Sequence, residues 1–417
     1  MYLRGGKLNM KKRTRRPSNP LLIAFLVIAI GGLIYFNQIV VPEMPTLFMA
    51  SPTPTRSMEA VLNEAQAYFA EGKLSQAIDA YKQAVLADPR NPSTFIELAR
   101  TQIFAGQYNE AVTNAENALL LNPNNSMAYA VKASALDLLG MYDDAELAVN
   151  KAIELDPNNA AAYAYYTEIL LDQGNYEDIQ TAIDMSKKAE SLDPNALETL
   201  RSRGYVLFNT GNYPEAIAAY QAAIAINDKL WDLHYSLGAV YKLQGEYDKA
   251  IQEMLTGVAL NPTNPDIMTE ISRTYATEGQ YGKAIQFAEQ ALSLDPSSAR
   301  LHGNLGVLLY KNKEYSKAAA ALTLAVRGGT TDDGTVVEGL PLAPGRVADD
   351  YYSVYALSLT QLDRCADAVP IMQLILTNIA EDQIAYYNAT QGMDYCKVAA
   401  GTPAAETTPT TTETPTP

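Results

Sequence analysis

Residues 126–159 read SMAYAVKASALDLLGMYDDAELAVNKAIELDPNN. Apolar residues recur every three or four positions in Met127–Leu139 and again in Tyr142–Leu155, which predicts two amphipathic helices. Gly140 separates these two segments, and Pro157 follows the second one. Each helix would have a single apolar face. Two such helices bury too little surface to be stable alone, so neighbouring copies of the unit have to cover the rest.

The same pattern recurs along the chain at a spacing of 34 residues, with one slip of three residues. The first segment ends at a glycine in seven copies: Gly72, Gly106, Gly140, Gly174, Gly211, Gly245 and Gly279. A proline closes six copies: Pro89, Pro123, Pro157, Pro194, Pro262 and Pro296. A tyrosine follows the glycine two residues later in most copies. This combination of period, glycine, aromatic residue and proline resembles the tetratricopeptide repeat (TPR).

The resemblance covers residues 58–327 and, in degraded form, 348–399. It implies an all-α, right-handed solenoid of about eight to nine helix pairs. Residues 328–347 interrupt the helical pattern and predict a loop or a small hairpin, with Val336 and Val337 as a short extended piece. Residues 348–399 predict a degenerate repeat unit and a capping helix that closes the exposed end of the solenoid.

Three departures from the repeat pattern are visible. Asp228 stands in place of a closing proline, and Lys313 stands in place of a hinge glycine. Between Tyr176 and Pro194 the chain carries three extra residues, which predicts a longer or bulged second helix in the fourth unit. None of these departures is expected to break the stacking of the units.

The N-terminal part has a different composition. Residues 1–20 carry seven Lys and Arg side chains and no acidic residue, and residues 21–41 are almost continuously apolar. Twenty-one helical residues are about 30 Å long, enough to cross a bilayer core. The segment 21–41 therefore predicts a transmembrane signal-anchor helix, with a cleaved signal peptide as the main alternative. The basic flank predicts a cytoplasmic N-terminus and an extracytoplasmic body, as in a bacterial envelope protein.

Residues 42–57 predict a Pro/Thr-rich tether, and residues 400–417 predict a disordered Thr/Pro-rich tail. The net charge of the chain is −16, and the basic segment accounts for +7, which leaves −23 on the remainder. An acidic body argues against a nucleic-acid-binding surface, because phosphate binding needs clustered Lys and Arg.

In tetratricopeptide repeats the first helix of each pair lines the concave groove. The resemblance places Leu62, Phe69, Ile96 and Phe104 there in the first two units. In the fifth to eighth units it places a basic and aromatic stripe there: Arg201, Tyr205, Phe208, Tyr235, Lys242, Arg273, Arg300, Tyr310 and Lys311. Aromatic and Arg side chains commonly anchor interfaces, so the stripe predicts binding of a protein or peptide partner. Alternatively, the cations pair with Glu198, Asp232 and Asp266 on neighbouring helices.

Signs of other chemistry are few. The carboxylate clamp of heat-shock co-chaperones would need Lys, Asn and Arg in the first three grooves, which present other residues instead. His234 and His302 occupy a packing position and are interpreted as core residues. We expect no cofactor, no metal and no enzymatic activity, because no catalytic or nucleotide-binding motif is present. Cys365 and Cys396 predict a disulfide if the body is extracytoplasmic, with two buried thiols as the alternative.

These patterns favour a membrane-anchored, extracytoplasmic scaffold for protein–protein interaction in envelope complex assembly. Two alternatives stay open. The first is a periplasmic-type chaperone that holds secreted clients, and the second is a regulatory docking subunit of an envelope polysaccharide or cell-wall enzyme. The sequence leaves the partner and the oligomeric state open.

Overall fold

The structure is a computed structural model that describes residues 19–36, 38 and 57–399. The chain divides into two compact units at the junction of Ser57 and Met58. The tail predicted at 400–417 lies outside the described residues, and so do nearly all of the basic segment 1–20 and the tether 42–57.

The first unit contains helix α1 (Pro20–Tyr35), which has 16 residues. Asn19 caps it, since its side-chain oxygen accepts a hydrogen bond from the Leu21 N–H at 3.3 Å. The helix is apolar on all sides and buries none of its residues. The predicted segment 21–41 is described only as far as residues 36 and 38. Within the described residues no helix is both long enough and apolar enough to cross a membrane.

The second compact part of the chain, from Met58 onward, confirms the expected all-α repeat solenoid. Residues 58–327 form eight helix pairs. The first helices are α2 (Met58–Ala70), α4 (Pro92–Phe104), α6 (Ser126–Leu138), α8 (Ala160–Asp172), α10 (Leu197–Asn209), α12 (Trp231–Leu243), α14 (Pro265–Thr277) and α16 (Ala299–Lys311). The second helices are α3 (Leu74–Ala87), α5 (Tyr108–Leu121), α7 (Tyr142–Leu155), α9 (Ile179–Leu192), α11 (Tyr213–Ile226), α13 (Tyr247–Leu260), α15 (Tyr281–Leu294) and α17 (Tyr315–Arg327).

Short polar residues start the first helices, and alanines hold the pairs together. The side chains of Asn91, Asn125, Asn159 and Asn264 each accept a hydrogen bond from a backbone N–H in the first turn, at 2.8–3.2 Å. Such caps satisfy N–H groups that would otherwise have no partner. One alanine at the same repeat position is fully buried in nearly every second helix: Ala77, Ala111, Ala145, Ala216, Ala250, Ala284 and Ala318.

Two hinges take the left-handed backbone conformation without a glycine. Lys313 has φ 64° and Asp363 has φ 57°, close to the values of the hinge glycines in the other units. A side chain with a Cβ costs about 1–2 kcal/mol in this conformation. Asp363 connects the two helices of the last pair, so residues 348–399 repeat the hinge geometry of the units before them.

The expected longer or bulged helix in the fourth unit is wrong. Helix α9 has 14 residues, as most second helices do. A separate 3-10 turn, Tyr176–Asp178, precedes it and takes up the extra residues. Because the turn lies outside the helix, Tyr176 is displaced from the packing position of the other hinge tyrosines and is 89% exposed.

After α17 the chain forms a two-stranded antiparallel hairpin. Strand β1 (Gly329–Thr330) pairs with β2 (Val336–Val337), with Gly329 opposite Val337. A π-helical turn (Val347–Tyr352) leads into the final helices, which are α18 (Ser353–Thr360), α19 (Cys365–Asn378) and α20 (Gln383–Ala399). A disulfide between Cys365 and Cys396 ties the start of α19 to α20, with their Cα atoms 5.5 Å apart.

The first two repeats also contact the fifth and sixth repeats. The ring of Phe104 lies 5.5 Å from that of Phe69, and its carbonyl accepts a hydrogen bond from Trp231 Nε1 at 3.1 Å. The Asn227 side chain donates to the Phe69 carbonyl at 3.5 Å. Phe69 and Phe104 therefore pack against the protein itself, and Ile96 is buried as well. Other side chains of the same protein therefore cover these groove positions.

Candidate functional site

The structure places five of the nine residues of the predicted basic and aromatic stripe in two separate regions. Arg201 and Tyr205 lie in the region where the early and middle units meet, surrounded by carboxylates. Lys242, Arg273 and Lys311 line a cavity further along the solenoid. We call the first region the closed interior and the second the basic cavity.

The basic cavity has a volume of about 300 Å³. Helices α12, α14 and α16 provide most of its walls, and the segment that follows the hairpin covers one side. Its charged and polar lining consists of Lys242, Thr269, Ser272, Arg273, Thr277, Asn304, Lys311, Arg346 and Asp350. Its apolar lining consists of Ala276, Ala288, Leu301, Val307 and Leu308. A lining that combines polar and aliphatic side chains is usual for a ligand-binding pocket.

Cations outnumber carboxylates around this cavity. Glu270 pairs with both Lys242 and Arg273, the latter at 3.2 Å. Arg346 pairs with Asp350 at 3.2 Å. Lys311 is exposed on the rim and has no ion-pair partner within the described part of the chain. These groups together have two more positive charges than negative ones, although the protein as a whole is strongly acidic.

Two side-chain donors in the cavity wall are buried without a partner among the described residues, Arg273 Nε and Asn304 Nδ2. The Asn304 amide oxygen accepts a hydrogen bond from the Tyr351 hydroxyl at 2.9 Å. Tyr351 approaches this closely because residue 303 is glycine. A Cβ there would lie 2.7 Å from the tyrosine ring. Burial raises the pKa of Tyr351, so this hydroxyl stays protonated and acts as a donor.

The remaining residues of the stripe do not line the cavity. Arg300 is exposed on α16. The aromatic members Phe208, Tyr235 and Tyr310 each pair with a ring near a helix start, with centroid distances of 6.4, 6.4 and 5.5 Å. Burial and nearby carboxylates raise the pKa of Tyr235 to about 12. The rings of Phe208 and Tyr310 thus join the two helices of a pair, whereas Tyr235 contacts Trp231 of its own helix α12.

In the closed interior, Arg201 makes a two-pronged contact with Glu168. Its Nε and Nη2 donate to the two carboxylate oxygens at 2.9 and 2.6 Å. Asp232 lies 3.6 Å away on the other side, and the guanidinium is 5.8 Å from the ring centre of Phe104. The Arg201 side chain is only 14% exposed. The sequence analysis gave pairing with Asp232 as an alternative for this cation, and the structure shows that contact. It did not predict Glu168 as a partner.

A second ion pair crosses the closed interior. Arg100 on α4 contacts Glu198 on α10 and also pairs with Glu97 at 3.2 Å. Burial by itself would raise the pKa of Glu198, but the Arg100 guanidinium lowers it below its usual range. The Arg100–Glu198 pair joins residues 98 positions apart in sequence. No local pattern could have indicated it.

A carboxyl pair completes the closed interior. Tyr205 donates a hydrogen bond to Asp172, which lies next to Asp137. Burial and the charges of Asp172 and Glu168 raise the pKa of Asp137 to about 9, so this carboxyl is protonated at neutral pH. Sequence analysis did not identify Arg100, Asp137 and Asp172 as interior residues, because charged residues on a helix usually indicate its solvent-exposed face.

Both histidines are buried, and the Nδ1 of His234 also contacts the Glu253 carboxylate at 2.7 Å. The Nε2 of His234 donates to the Asp228 carbonyl at 3.2 Å, and that of His302 donates to the Pro296 carbonyl at 3.0 Å. Tyr163 makes the same bond with its hydroxyl, to the carbonyl of Pro157 six residues earlier. Histidine thus replaces an aromatic packing residue in two units. Within the described residues no group of His, Cys, Asp or Glu side chains could hold a metal ion.

Sequence comparisons match repeats along most of the body. Models described as "Tetratricopeptide repeat" match residues 68–135, 128–159, 148–181, 232–264 and 275–331. A model described as "TPR repeat" matches residues 204–245. No curated protein matches the chain significantly.

Several solved structures are similar to this one. A chain of the human IFIT1 dimer with PPP-AAAA is 17% identical, with 81% of each chain covered and a TM-score of 0.54. A chain of the APC/C hetero-tetramer Cut9–Hcn1 is 20% identical over 68% of this chain, with a TM-score of 0.48. This chain spans about half of that one, 52%. PilF of Pseudomonas aeruginosa is 21% identical, with 48% and 90% of the two chains covered and a TM-score of 0.40.

At these identities the structural likeness shows the fold alone. The repeat matches, the regular helix pairs and their hinge geometry agree with one another. The folded body of this chain is built from tetratricopeptide repeats.

Proposed function

We propose that this protein is a scaffold that holds a protein partner in the basic cavity. Tetratricopeptide-repeat solenoids are protein-interaction folds, and the cavity of this one combines charged, polar and aliphatic side chains in its lining. The observation that supports it most directly is the excess of cations in the cavity of an acidic protein. In the closed interior, Arg201 and Arg100 both pair with carboxylates, and the Arg201 side chain is only 14% exposed.

The test is a pull-down that compares matched variants of the full chain in detergent. Arg273→Gln with Lys311→Gln removes two cavity cations and leaves Lys242 paired with Glu270. Lys249→Gln with Lys317→Gln removes two exposed cations that pair on second helices outside the cavity. Arg201 is left intact, because its loss would damage the fold and mimic a loss of binding.

We expect one defined protein to be captured by the wild type and by the control variant, and to be lost in the cavity variant. Equal capture by all three forms would overturn the proposal. Capture of many unrelated unfolded proteins, without dependence on the cavity cations, would instead indicate a chaperone that holds clients.

We further propose that the apolar segment 21–41 anchors the chain in a membrane, with the body on the extracytoplasmic side. Supporting observations are the apolar helix α1 with no buried residue, the basic residues before it, and the disulfide Cys365–Cys396. Disulfides persist mainly in oxidising compartments outside the cytoplasm.

Fractionation tests this placement. We expect the chain to stay in the membrane pellet after carbonate extraction at high pH, and the body to be digested by protease added outside the cytoplasmic membrane. Deletion of 21–41 should release the body into the soluble fraction. Release of the intact wild-type chain by carbonate would contradict the anchor, and protection from the protease would contradict the topology.

A further inference from the structure

We propose that the contact between the first two repeats and the fifth and sixth repeats opens while every repeat stays folded, and that the closed form withholds part of the concave surface. We call this contact the seam. The inference goes beyond the proposed function, because the basic cavity is lined by residues from the sixth repeat onward and by none of the first two.

Side chains make the hydrogen bonds of the seam. The Trp231 indole N–H, at the start of the sixth repeat, donates to the Phe104 carbonyl of the second repeat at 3.1 Å. Asn227, at the end of the fifth repeat, donates to the Phe69 carbonyl of the first repeat at 3.5 Å. The second distance is long for a hydrogen bond. The rings of Phe69 and Phe104 supply the apolar part of the contact.

The first two repeats also have apolar cores that lie outside the seam. One joins the first repeat to the second through Ala65, Ile78, Tyr81 and Leu98. Another joins the second repeat to the third through residues that include Ile96, Ala99, Val131 and Ala135. In a solenoid each repeat is stabilised by itself and by its neighbours in sequence. The seam joins repeats that are not neighbours, so it can break while these cores stay intact.

Closure also has an electrostatic cost. Arg100 Nε is buried without a hydrogen-bond partner among the described residues. Burial raises the pKa of Glu168 and Asp232, although the charge of Arg201 opposes that increase. Unpaired polar atoms and buried ionised carboxyls are less stable than the same groups in water. Hydration of these groups favours the open form and opposes the contacts that hold the seam closed.

The closed seam covers two guanidinium groups of the concave surface. Arg100 on α4 contacts Glu198 of the fifth repeat, and Arg201 on α10 lies 5.8 Å from the ring centre of Phe104 in the second repeat. In the open form both groups lose these partners and face solvent. Arginine side chains commonly anchor protein interfaces. The seam is therefore an autoinhibitory contact, which withholds the Arg201 part of the predicted stripe from a partner until it opens.

Gly72 provides a specific way to open the seam. A Cβ at this residue would lie 2.5 Å from the Cβ of Lys229 and 3.2 Å from its carbonyl oxygen, and side-chain rotation moves neither atom. Gly72→Ala should therefore open the seam. Gly140→Ala is the matched control, because Gly140 has φ 73° against 72° for Gly72, and its Cβ would meet no atom within 4 Å. Adding Lys229→Gly to Gly72→Ala removes the contact between the two Cβ atoms and should close the seam again.

Single-molecule energy transfer between two dyes on the full chain in detergent measures the opening. Asp79→Cys on α3 and Thr256→Cys on α13 change exposed residues and place the dyes on opposite sides of the seam. Asp79→Cys with Thr113→Cys on α5 places them in neighbouring repeats instead. The two natural cysteines are joined in the disulfide, so only the engineered cysteines react with the dyes.

Across the seam, we expect the chain without Gly72→Ala to show a main high-transfer population and a low-transfer population on the order of 1–10%. Gly72→Ala should raise the ratio of low-transfer to high-transfer molecules at least about 10-fold, since the closed form meets the clash and the open form does not. The dye pair in neighbouring repeats should be unaffected. Gly140→Ala should leave both dye pairs unchanged.

Three results would overturn the inference. A single high-transfer population across the seam, in the chain that retains Gly72, would mean that the seam does not open. Equal effects of Gly72→Ala and Gly140→Ala would assign the change to backbone strain. Lower transfer in the neighbouring pair of Gly72→Ala would mean that the repeats themselves separate. If Gly72→Ala fails to fold, the populations of the chain that retains Gly72 still decide. Each of these results leaves the pull-down test of the basic cavity unaffected.

Discussion

Replacing Arg201 by Ala is expected to destabilise the protein by about 3–5 kcal/mol, because it leaves buried carboxylates without their counter-ion. Glu168 loses both hydrogen bonds of its two-pronged partner, and Asp232 loses its nearest cation. Burial already raises the pKa of both carboxyls, and Arg201 is the group that opposes this increase. Equilibrium unfolding in guanidinium chloride would measure the change as a lower midpoint.

The chain provides both a reporter and a matched control for this experiment. Trp231 is the only tryptophan of the sequence, and its hydrogen bond to the Phe104 carbonyl crosses the contact between early and middle units. Its fluorescence therefore reports the region that Arg201 stabilises. Arg203 lies two residues away and pairs with Glu190 at the surface, with side chains 41% and 38% exposed. Arg203→Ala should cost no more than about 1 kcal/mol.

A second substitution tests the stated cause. If unpaired charge is responsible, adding Glu168→Gln to Arg201→Ala should recover part of the lost stability, although it removes another polar contact. An effect of Arg201→Ala as small as that of Arg203→Ala would refute a buried ion network. So would a further loss on adding Glu168→Gln.

Local features of the repeats could be predicted from the sequence because their causes are local. The glycine hinge, the helix pairs and the buried alanines follow from spacing within one unit and its neighbour. The same holds for Lys313, which takes the glycine conformation because the hinge geometry is common to all units. The prediction of a longer helix after Tyr176 was wrong because residue spacing alone does not show where extra residues are accommodated. Extra residues can enter a helix or precede it, and here they form a separate 3-10 turn.

The candidate site was predictable only in part, because it depends on contacts between distant units. Lys242, Arg273 and Lys311 lie on first helices as predicted, and they line one cavity. Arg201 has the same pattern in sequence, yet it is buried because the early units contact the fifth and sixth. Asn304 and Arg346 were missed. The position of the Asn304 amide depends on its hydrogen bond with the Tyr351 hydroxyl. Arg346 follows the hairpin, and the repeat pattern does not specify the path of the chain there.

Asp137 is the group whose removal should stabilise the protein. Burial and its carboxylate neighbours Asp172 and Glu168 raise its pKa to about 9 in the folded state, from an ordinary value of 3.8. Between these two pH values the folded protein holds a proton that the unfolded chain releases. Proton release therefore favours unfolding, and the contribution of this group to stability decreases as pH rises from about 4 to about 9.

Asp137→Asn removes this penalty, because an amide is neutral in both states and can still donate a hydrogen bond to Asp172. We expect the variant to be more stable than the wild type by about 2–3 kcal/mol at pH 7, a figure reduced from the simple linkage value because the carboxyls are coupled. Its advantage should vanish below pH 4 and be largest above pH 9. Denaturant unfolding at pH 4, 7 and 9, followed by Trp231 fluorescence, measures all three values.

The control is Asp79→Asn, which changes an exposed carboxylate on α3 and should leave stability within about 0.5 kcal/mol of the wild type at each pH. A pH-independent gain in Asp137→Asn would indicate improved packing and not a removed ionisation penalty. A loss of stability at neutral pH would mean that Asp137 is ionised in the fold and paired with Arg201. In that case Asp137 and Asp172 would both be ionised, and they would share no proton.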